Sequence, residues 1–79
     1  MRILDNESDN KLDNVSLYLT KEEVLQLRKY VNKLLENPQL QHVHFSSKDY
    51  QKEITICLYD ENELSNFDKR SKILIREDK

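Results

Sequence analysis

The sequence predicts a small α+β domain: an antiparallel or mixed sheet of three to four strands, with one long helix and a C-terminal helix packed on one face. Three short segments alternate apolar and polar residues with the two-residue period of a strand. Between the first and second of these segments, apolar residues recur with the period of a helix. The chain has 79 residues, so residues 1–79 are expected to form a single domain.

The N-terminal part of the chain contains a short apolar segment, then a polar segment, then a segment in which apolar and polar residues alternate. Residues 2–4 can form a short strand. Residues 5–14 are rich in Asn, Asp and Ser, which are typical of turns, and they are predicted to be a polar loop leading into the next strand. Residues 15–19 alternate apolar and polar side chains and are predicted to be the first main strand.

A long helix is predicted from Thr20 to about Glu36. Thr20 and Glu23 fit a capping box, in which the Thr hydroxyl accepts from the backbone of the third helical residue and the Glu carboxylate reaches back. Pro38 ends the helix, because proline disfavours a helical residue before it. The apolar stripe of this helix consists of Val24, Leu27, Val31 and Leu34, flanked by Tyr30 and Leu35.

Two strands are predicted after the helix, at residues 41–46 and 52–59. A turn at residues 47–49 joins them, so they are expected to pair as an antiparallel hairpin. The alternation gives this sheet two different faces.

The core face of the predicted sheet is apolar and the other face is mixed. The core face consists of Val15, Leu17, Leu19, Val43, Phe45, Ile54, Ile56 and Leu58. The second face consists of Ser16, Tyr18, His42, His44, Glu53, Thr55, Cys57 and Tyr59. Side chains of the second kind are too polar for a core and too varied for an ordinary solvated surface, so function is expected there.

The C-terminal segment allows two structures. Asp60 can cap a helix that has Glu63 as its third residue, with cationic side chains late in the helix, where its dipole favours them. Residues 72–76 alternate β-branched residues and can instead form an edge strand. We expect a helix over residues 63–76, with the edge strand as the alternative.

The pair His42-x-His44 is the sharpest local pattern for a metal site. On a strand these two imidazoles lie on one face, and Cys57 can supply a third ligand or Glu53 a hard one. Structural zinc sites usually need four ligands at defined spacings, so metal binding through His42, His44 and Cys57 is the alternative hypothesis rather than the leading one. No cofactor is expected.

Single-stranded nucleic-acid binding is a second alternative. Tyr18 and Tyr59 on an open sheet face resemble the stacking aromatics of RNA-recognition domains, whose strand and helix order is partly similar. Against this, the chain carries 13 Lys and Arg against 15 Asp and Glu, and the net charge of −2 does not attract phosphates. Nucleic acid is therefore not the expected partner.

Composition excludes several classes of function. The chain has no glycine, which removes the phosphate-binding loops and the nucleophile elbow that depend on it. Its single cysteine cannot form an internal disulfide, and an inert thiol is expected there rather than a nucleophile. No apolar run is long enough for a membrane span, and the N-terminus turns polar at once, so a cytoplasmic protein is expected. No pair of acids and no nucleophile–base spacing stands out, so a protein without enzymatic activity is expected.

Four blocks of the sequence carry a resemblance. They are VSLYLTKEE at 15–23, LLENP at 34–38, HVH at 42–44 and EITICLY at 53–59. In these blocks the chain resembles a class of short bacterial and mobile-element proteins that have no assigned activity. The resemblance implies an accessory protein of a bacterium or phage, and it assigns no role to any residue.

The leading hypothesis is a small interaction protein, a regulator or inhibitor. A small domain with an uncovered sheet face favours association with a partner protein or with a second copy as a homodimer. The residues expected to bind the partner are Tyr18, His42, His44, Glu53, Thr55 and Tyr59.

Overall fold

The computed structural model describes all residues from Met1 to Lys79. It contains two helices and four short strands. In chain order they are β1 (Ile3–Asp5), β2 (Asn10–Leu12), α1 (Lys21–Glu36), β3 (His42–Ser46), β4 (Glu53–Cys57) and α2 (Lys69–Glu77), with a 3-10 turn at Pro38–Leu40. The predicted α+β class is confirmed.

The strands form two separate two-stranded antiparallel sheets, β1 with β2 and β3 with β4. The prediction of one sheet with three to four strands is therefore wrong. Residue contacts divide the chain into two compact units. The first unit comprises Met1–Leu17 and Asp60–Lys79, and the second comprises Tyr18–Tyr59. The single-domain organisation of residues 1–79 stays a prediction.

In the first unit, β1 confirms the short N-terminal strand. The predicted loop at residues 5–14 is wrong in part, because β2 lies within it and pairs with β1. Asp5 closes the turn between them. Its carboxylate accepts from the Glu7 backbone N–H at 3.0 Å and from the Ser8 hydroxyl at 2.7 Å. These contacts make a hairpin of a stretch whose polarity alone indicates only a loop.

The predicted strand at residues 15–19 does not form. Residues 14–20 contain no regular secondary structure, and Val15 and Leu17 are about half exposed. A strand needs a neighbouring strand for its backbone hydrogen bonds. β2 pairs only with β1, and β3 pairs only with β4, so no strand pairs with this segment.

The C-terminal helix forms, but it begins later than predicted. Its N-cap is Asp68, whose carboxylate accepts from the Ser71 backbone N–H at 2.7 Å. Asp60, the predicted cap, instead accepts from the Asn62 backbone N–H at 2.9 Å within a turn. An Asp side chain that closes such a turn is not free to cap a helix. The alternative edge strand at residues 72–76 lies within α2 and is wrong.

The first unit has a small core. Leu64, from the turn region, and Leu74, on α2, are its buried hydrophobic residues. Arg2 donates from Nε to the carbonyl of Leu74 at 3.0 Å. Arg70 donates to the carbonyl of Asp9 at 2.9 Å and pairs with the Asp9 carboxylate at 3.1 Å. Polar contacts therefore connect the β1–β2 hairpin with α2.

In the second unit, α1 confirms the predicted helix. Both hydrogen bonds of the capping box are present: the Glu23 N–H donates to the Thr20 hydroxyl at 3.2 Å, and the Thr20 N–H donates to the Glu23 carboxylate at 2.9 Å. Asn37 is the C-cap and Pro38 begins the 3-10 turn.

Replacing Thr20 with alanine is expected to cost about 1 kcal/mol of unfolding free energy, because the backbone N–H of Glu23 loses the hydroxyl that accepts its hydrogen bond. Urea titration followed by circular dichroism measures this cost. Thr20→Ser is the matched control, since it keeps the hydroxyl. Equal stability of the Ala and Ser variants would show that the Thr20 hydroxyl contributes nothing.

The β3–β4 hairpin confirms the predicted pairing, with strands shorter than the predicted ranges 41–46 and 52–59. Its register places His42 opposite Cys57 and His44 opposite Thr55. Gln41, just before β3, takes a left-handed backbone with φ 65°, which ends the 3-10 turn. The strand therefore begins one residue later than the alternation indicates.

The core of the second unit forms where α1 packs on β3. Leu34 of α1 and Val43 and Phe45 of β3 are buried, and the rings of Tyr30 and Phe45 meet edge to face with centroids 6.2 Å apart. The predicted core residues Val43 and Phe45 are thus correct. Ile54, Ile56 and Leu19 are only partly buried, and Val15, Leu17 and Leu58 are exposed.

Candidate functional site

One side of the β3–β4 hairpin faces away from the core. The open face is formed by the side chains of His42, His44, Glu53, Thr55 and Cys57. Strand alternation places these side chains on the other face of the hairpin from Val43 and Phe45, which α1 covers. All five are exposed except Thr55, which is half-buried. The structure therefore brings together four of the six predicted partner-binding residues.

His44 is held in place by its neighbours on β4. Its Nδ1 lies 2.9 Å from a Glu53 carboxylate oxygen and 2.9 Å from the Thr55 hydroxyl. A carboxylate can only accept, so the contact with Glu53 requires a proton on Nδ1. The Nε2 edge of the ring takes no part in these contacts. The rings of His42 and His44 meet edge to face with centroids 5.0 Å apart, so the two imidazoles orient each other.

Cys57 is the chain's free thiol, opposite His42 at the end of the open face. Burial of the thiol by surrounding atoms raises its pKa above the ordinary value. A raised pKa reduces the thiolate fraction at neutral pH, which is unfavourable for a nucleophile or a metal ligand. The open face therefore offers no activated nucleophile at this position.

The metal hypothesis lacks a complete ligand set in this geometry. No group of three or more His, Cys, Asp or Glu side chains is placed so that it could hold a metal ion. His42 and His44 adjoin, but the one carboxylate beside them, that of Glu53, is engaged by His44. Two imidazoles alone fall short of the three or four protein ligands that zinc sites use.

The two predicted aromatic contacts lie outside the hairpin strands. Tyr18 precedes the N-cap of α1, in the segment that forms no strand, and it is 93% exposed. Tyr59 follows β4 by two residues and is half-buried. The stacking surface of an RNA-recognition sheet is therefore not assembled on the open face, whose only rings are those of His42 and His44.

A second exposed surface lies on α1, where the sequence predicted packing. Val24, Val31 and Leu35 lie on one side of α1, at spacings of seven and four residues. These three residues form the exposed helix stripe, which differs from the predicted apolar stripe because it excludes Leu27 and Leu34. All three are exposed, and Leu35 reaches 65%. The partly or fully buried residues of α1 lie about one quarter turn away, at Glu23, Leu27, Tyr30 and Leu34. The apolar side of this helix is wider than its contact with β3. That width, visible in the sequence, is the signal that indicates a second exposed apolar surface.

Comparison with known proteins identifies no relative of this chain. No protein-family model, curated protein or solved structure matches it. The resemblance to short bacterial and mobile-element proteins thus stays a prediction. Neither helix has the length and apolar character needed to cross a membrane. The open face is therefore the feature from which a function can be inferred.

Proposed function

We propose that this protein is a small non-enzymatic interaction protein, a regulator or inhibitor that binds a protein partner through the open face. The observation that supports this most is the assembly of exposed polar and imidazole side chains on one side of the hairpin, with α1 covering β3 on the other side. The partner is a protein with hydrogen-bonding groups that complement His42, His44 and Glu53.

The fixed orientation of His44 favours this function. Binding costs free energy for every flexible side chain that becomes ordered, and preorganised side chains reduce that cost. His44 is already oriented by Glu53 and Thr55, and His42 packs against its ring. These side chains can therefore contact a partner with little further ordering.

The chemistry of the open face favours binding over catalysis. Its thiol has a raised pKa, and no three ligand side chains converge on one point. Imidazole, hydroxyl and carboxylate groups together supply both donors and acceptors, which gives a partner directional contacts. Tyr59, two residues after Cys57, is an aromatic residue of the kind enriched at interfaces and is proposed to contact the same partner.

Photo-crosslinking in cells that natively carry the chain tests the proposal. A photoreactive amino acid at position 42 is expected to capture one defined protein. The matched control carries it at Lys29, an exposed position on the polar side of α1. Equal capture at both positions, or none at position 42 in a folded variant, would contradict binding through the open face.

A measurement of binding affinity makes the test quantitative. Once the captured partner is purified, His42→Ala combined with His44→Ala is expected to weaken its binding about tenfold or more, because central contacts dominate interface energies. Lys29→Ala is expected to leave the affinity unchanged. Unchanged affinity in the double variant would place the contact elsewhere on the molecule.

A further inference from the structure

The outer edge of β4 carries backbone groups without a strand partner. At one end of the hairpin the Ser47 N–H donates to the Lys52 carbonyl at 3.0 Å, and at the other the Leu58 N–H donates to the Gln41 carbonyl at 2.8 Å. Hydrogen-bonded and non-hydrogen-bonded pairs alternate in an antiparallel ladder, so these two bonds determine which residues of β4 bond to β3 and which direct their backbone groups outward. The residues of β4 that direct N–H and C=O outward are Glu53, Thr55 and Cys57.

The two edges of this hairpin differ in their surroundings. A groove beside β3 is lined by residues of α1, of β3 and of the turn, among them Gln26, Tyr30, His44, Ser46, Lys48 and Tyr50. The Gln26 side of α1 therefore lies along the outer edge of β3, and Lys48 of the turn pairs with Glu22 of α1 at 2.6 Å. α1 packs on β3 rather than on β4, so it leaves the outer edge of β4 without a cover from this unit.

The helix stripe lies on the β4 side of α1. On the helix circumference the packed residues Leu27 and Leu34 separate Gln26 on one flank from the helix stripe on the other. Since the Gln26 flank is at the β3 edge, the helix stripe is on the side toward β4. Ile54 and Ile56 of β4, which point to the same side of the sheet as α1, are only half-buried.

The centre of β4, from Ile54 to Ile56, contains none of the usual protections of an edge strand. Natural edges carry lysine, proline or a bulge that prevents pairing with another chain. β4 reads Glu-Ile-Thr-Ile-Cys, has one charge at its end, and pairs with β3 without a bulge. Its β-branched centre favours an extended, paired backbone.

We infer that β4 pairs with β4 of a second copy of this chain, antiparallel about a two-fold axis at Thr55. Thr55 is the middle residue of β4, so this register alone pairs the whole strand with itself. It joins two hairpins into one four-stranded sheet. The half-buried isoleucines of the two copies then meet beneath the two helix stripes, so one occupant covers both exposed apolar surfaces.

Side-chain chemistry selects this register. Thr55 faces Thr55 of the second copy, a favourable cross-strand pair, and Ile54 faces Ile56. Glu53 faces Cys57, so no two like charges are opposed. An axis at Glu53 instead places two carboxylates directly opposite each other, which is destabilising. The Thr55 register therefore pairs the whole of β4 with a second copy and opposes no two like charges.

Charged substitutions at Thr55 test the pairing. The purified wild-type chain is expected to show twice its single-chain mass by light scattering. Thr55→Lys and Thr55→Glu are each expected to show the single-chain mass, because like charges then meet on the axis. An equimolar mixture of the two variants is expected to regain the doubled mass. A wild-type chain that stays single at every concentration, or variants that still dimerise alone, would overturn the inference.

A disulfide tests the register independently of stability. Glu53→Cys is expected to form a covalent dimer on mild oxidation through Cys57 of the second copy, since paired strand residues lie within disulfide reach. The control, Glu53→Cys combined with Cys57→Ala, is expected to form no covalent dimer. Covalent dimers of equal yield in the control would overturn the Thr55 register.

This pairing leaves the open face accessible on both copies, so it goes beyond partner binding and is tested separately from it. The mass measurements use the purified chain alone, whereas photo-crosslinking at position 42 reports the partner. His42→Ala with His44→Ala is expected to weaken partner binding without changing the mass of the chain in solution. A failure of either result therefore identifies which of the two surfaces was assigned wrongly.

Discussion

Replacing Phe45 with alanine is expected to destabilise the protein by about 3–5 kcal/mol, the range measured for truncating a buried aromatic side chain. Phe45 is 2% exposed, the lowest value in the buried core, and its ring meets that of Tyr30 edge to face. Removing it leaves a cavity between α1 and β3. A domain of this size has little net stability to spare, so the variant is expected to be largely unfolded at room temperature.

Tyr50→Ala is the matched control for Phe45→Ala. Both residues are aromatic and belong to the β3–β4 hairpin region, but Tyr50 is 84% exposed. Its truncation is expected to change the free energy of unfolding by less than about 0.5 kcal/mol. Urea titration of both variants gives the comparison. A cost for Phe45→Ala no larger than that for Tyr50→Ala would show that α1 does not pack on β3 as described.

The elements predicted correctly are those whose determinants are local. The start of α1 depends on Thr20 and Glu23, three residues apart in one turn, and its end depends on Pro38. The β3–β4 hairpin depends on alternation and on a short turn. In each case the residues that decide the structure lie within a few positions of it, so sequence pattern suffices.

The incorrect predictions involve a choice that local pattern cannot make. Residues 15–19 alternate as well as β3 does, but a strand also needs a neighbour, and both sheets are complete without it. The start of α2 depended on two candidate caps, Asp60 and Asp68. Asp60 is engaged in a turn with Asn62, and only the folded structure reveals that engagement.

The open face was predictable in composition but not in register. Alternation alone places His42 with His44, and Glu53 with Thr55, on common faces. The pairing of strands then decides that His44 lies beside Thr55 and Glu53, which follows from the length of the turn. Tyr18 was assigned to the same face only through the strand that does not form, so its placement failed with that strand.

Replacing Leu74 with alanine is expected to cost about 2–5 kcal/mol. Leu74 is 7% exposed and is one of two buried hydrophobic residues in the first unit, so little apolar packing remains without it. The β1–β2 hairpin has strands of three residues each and cannot be stable alone. Urea titration measures the cost, and amide hydrogen exchange shows which residues lose protection.

Leu74→Met is the control, since it nearly conserves volume and is expected to cost less than about 1.5 kcal/mol. The location of the lost protection in Leu74→Ala also tests the single-domain prediction. One cooperative domain requires that amides of β3 and β4 lose protection together with those of α2, because all of them then open in the same transition. Loss confined to residues 1–17 and 60–79 would show that the first unit unfolds independently. A cost equal to that of Leu74→Met would contradict the burial of this side chain.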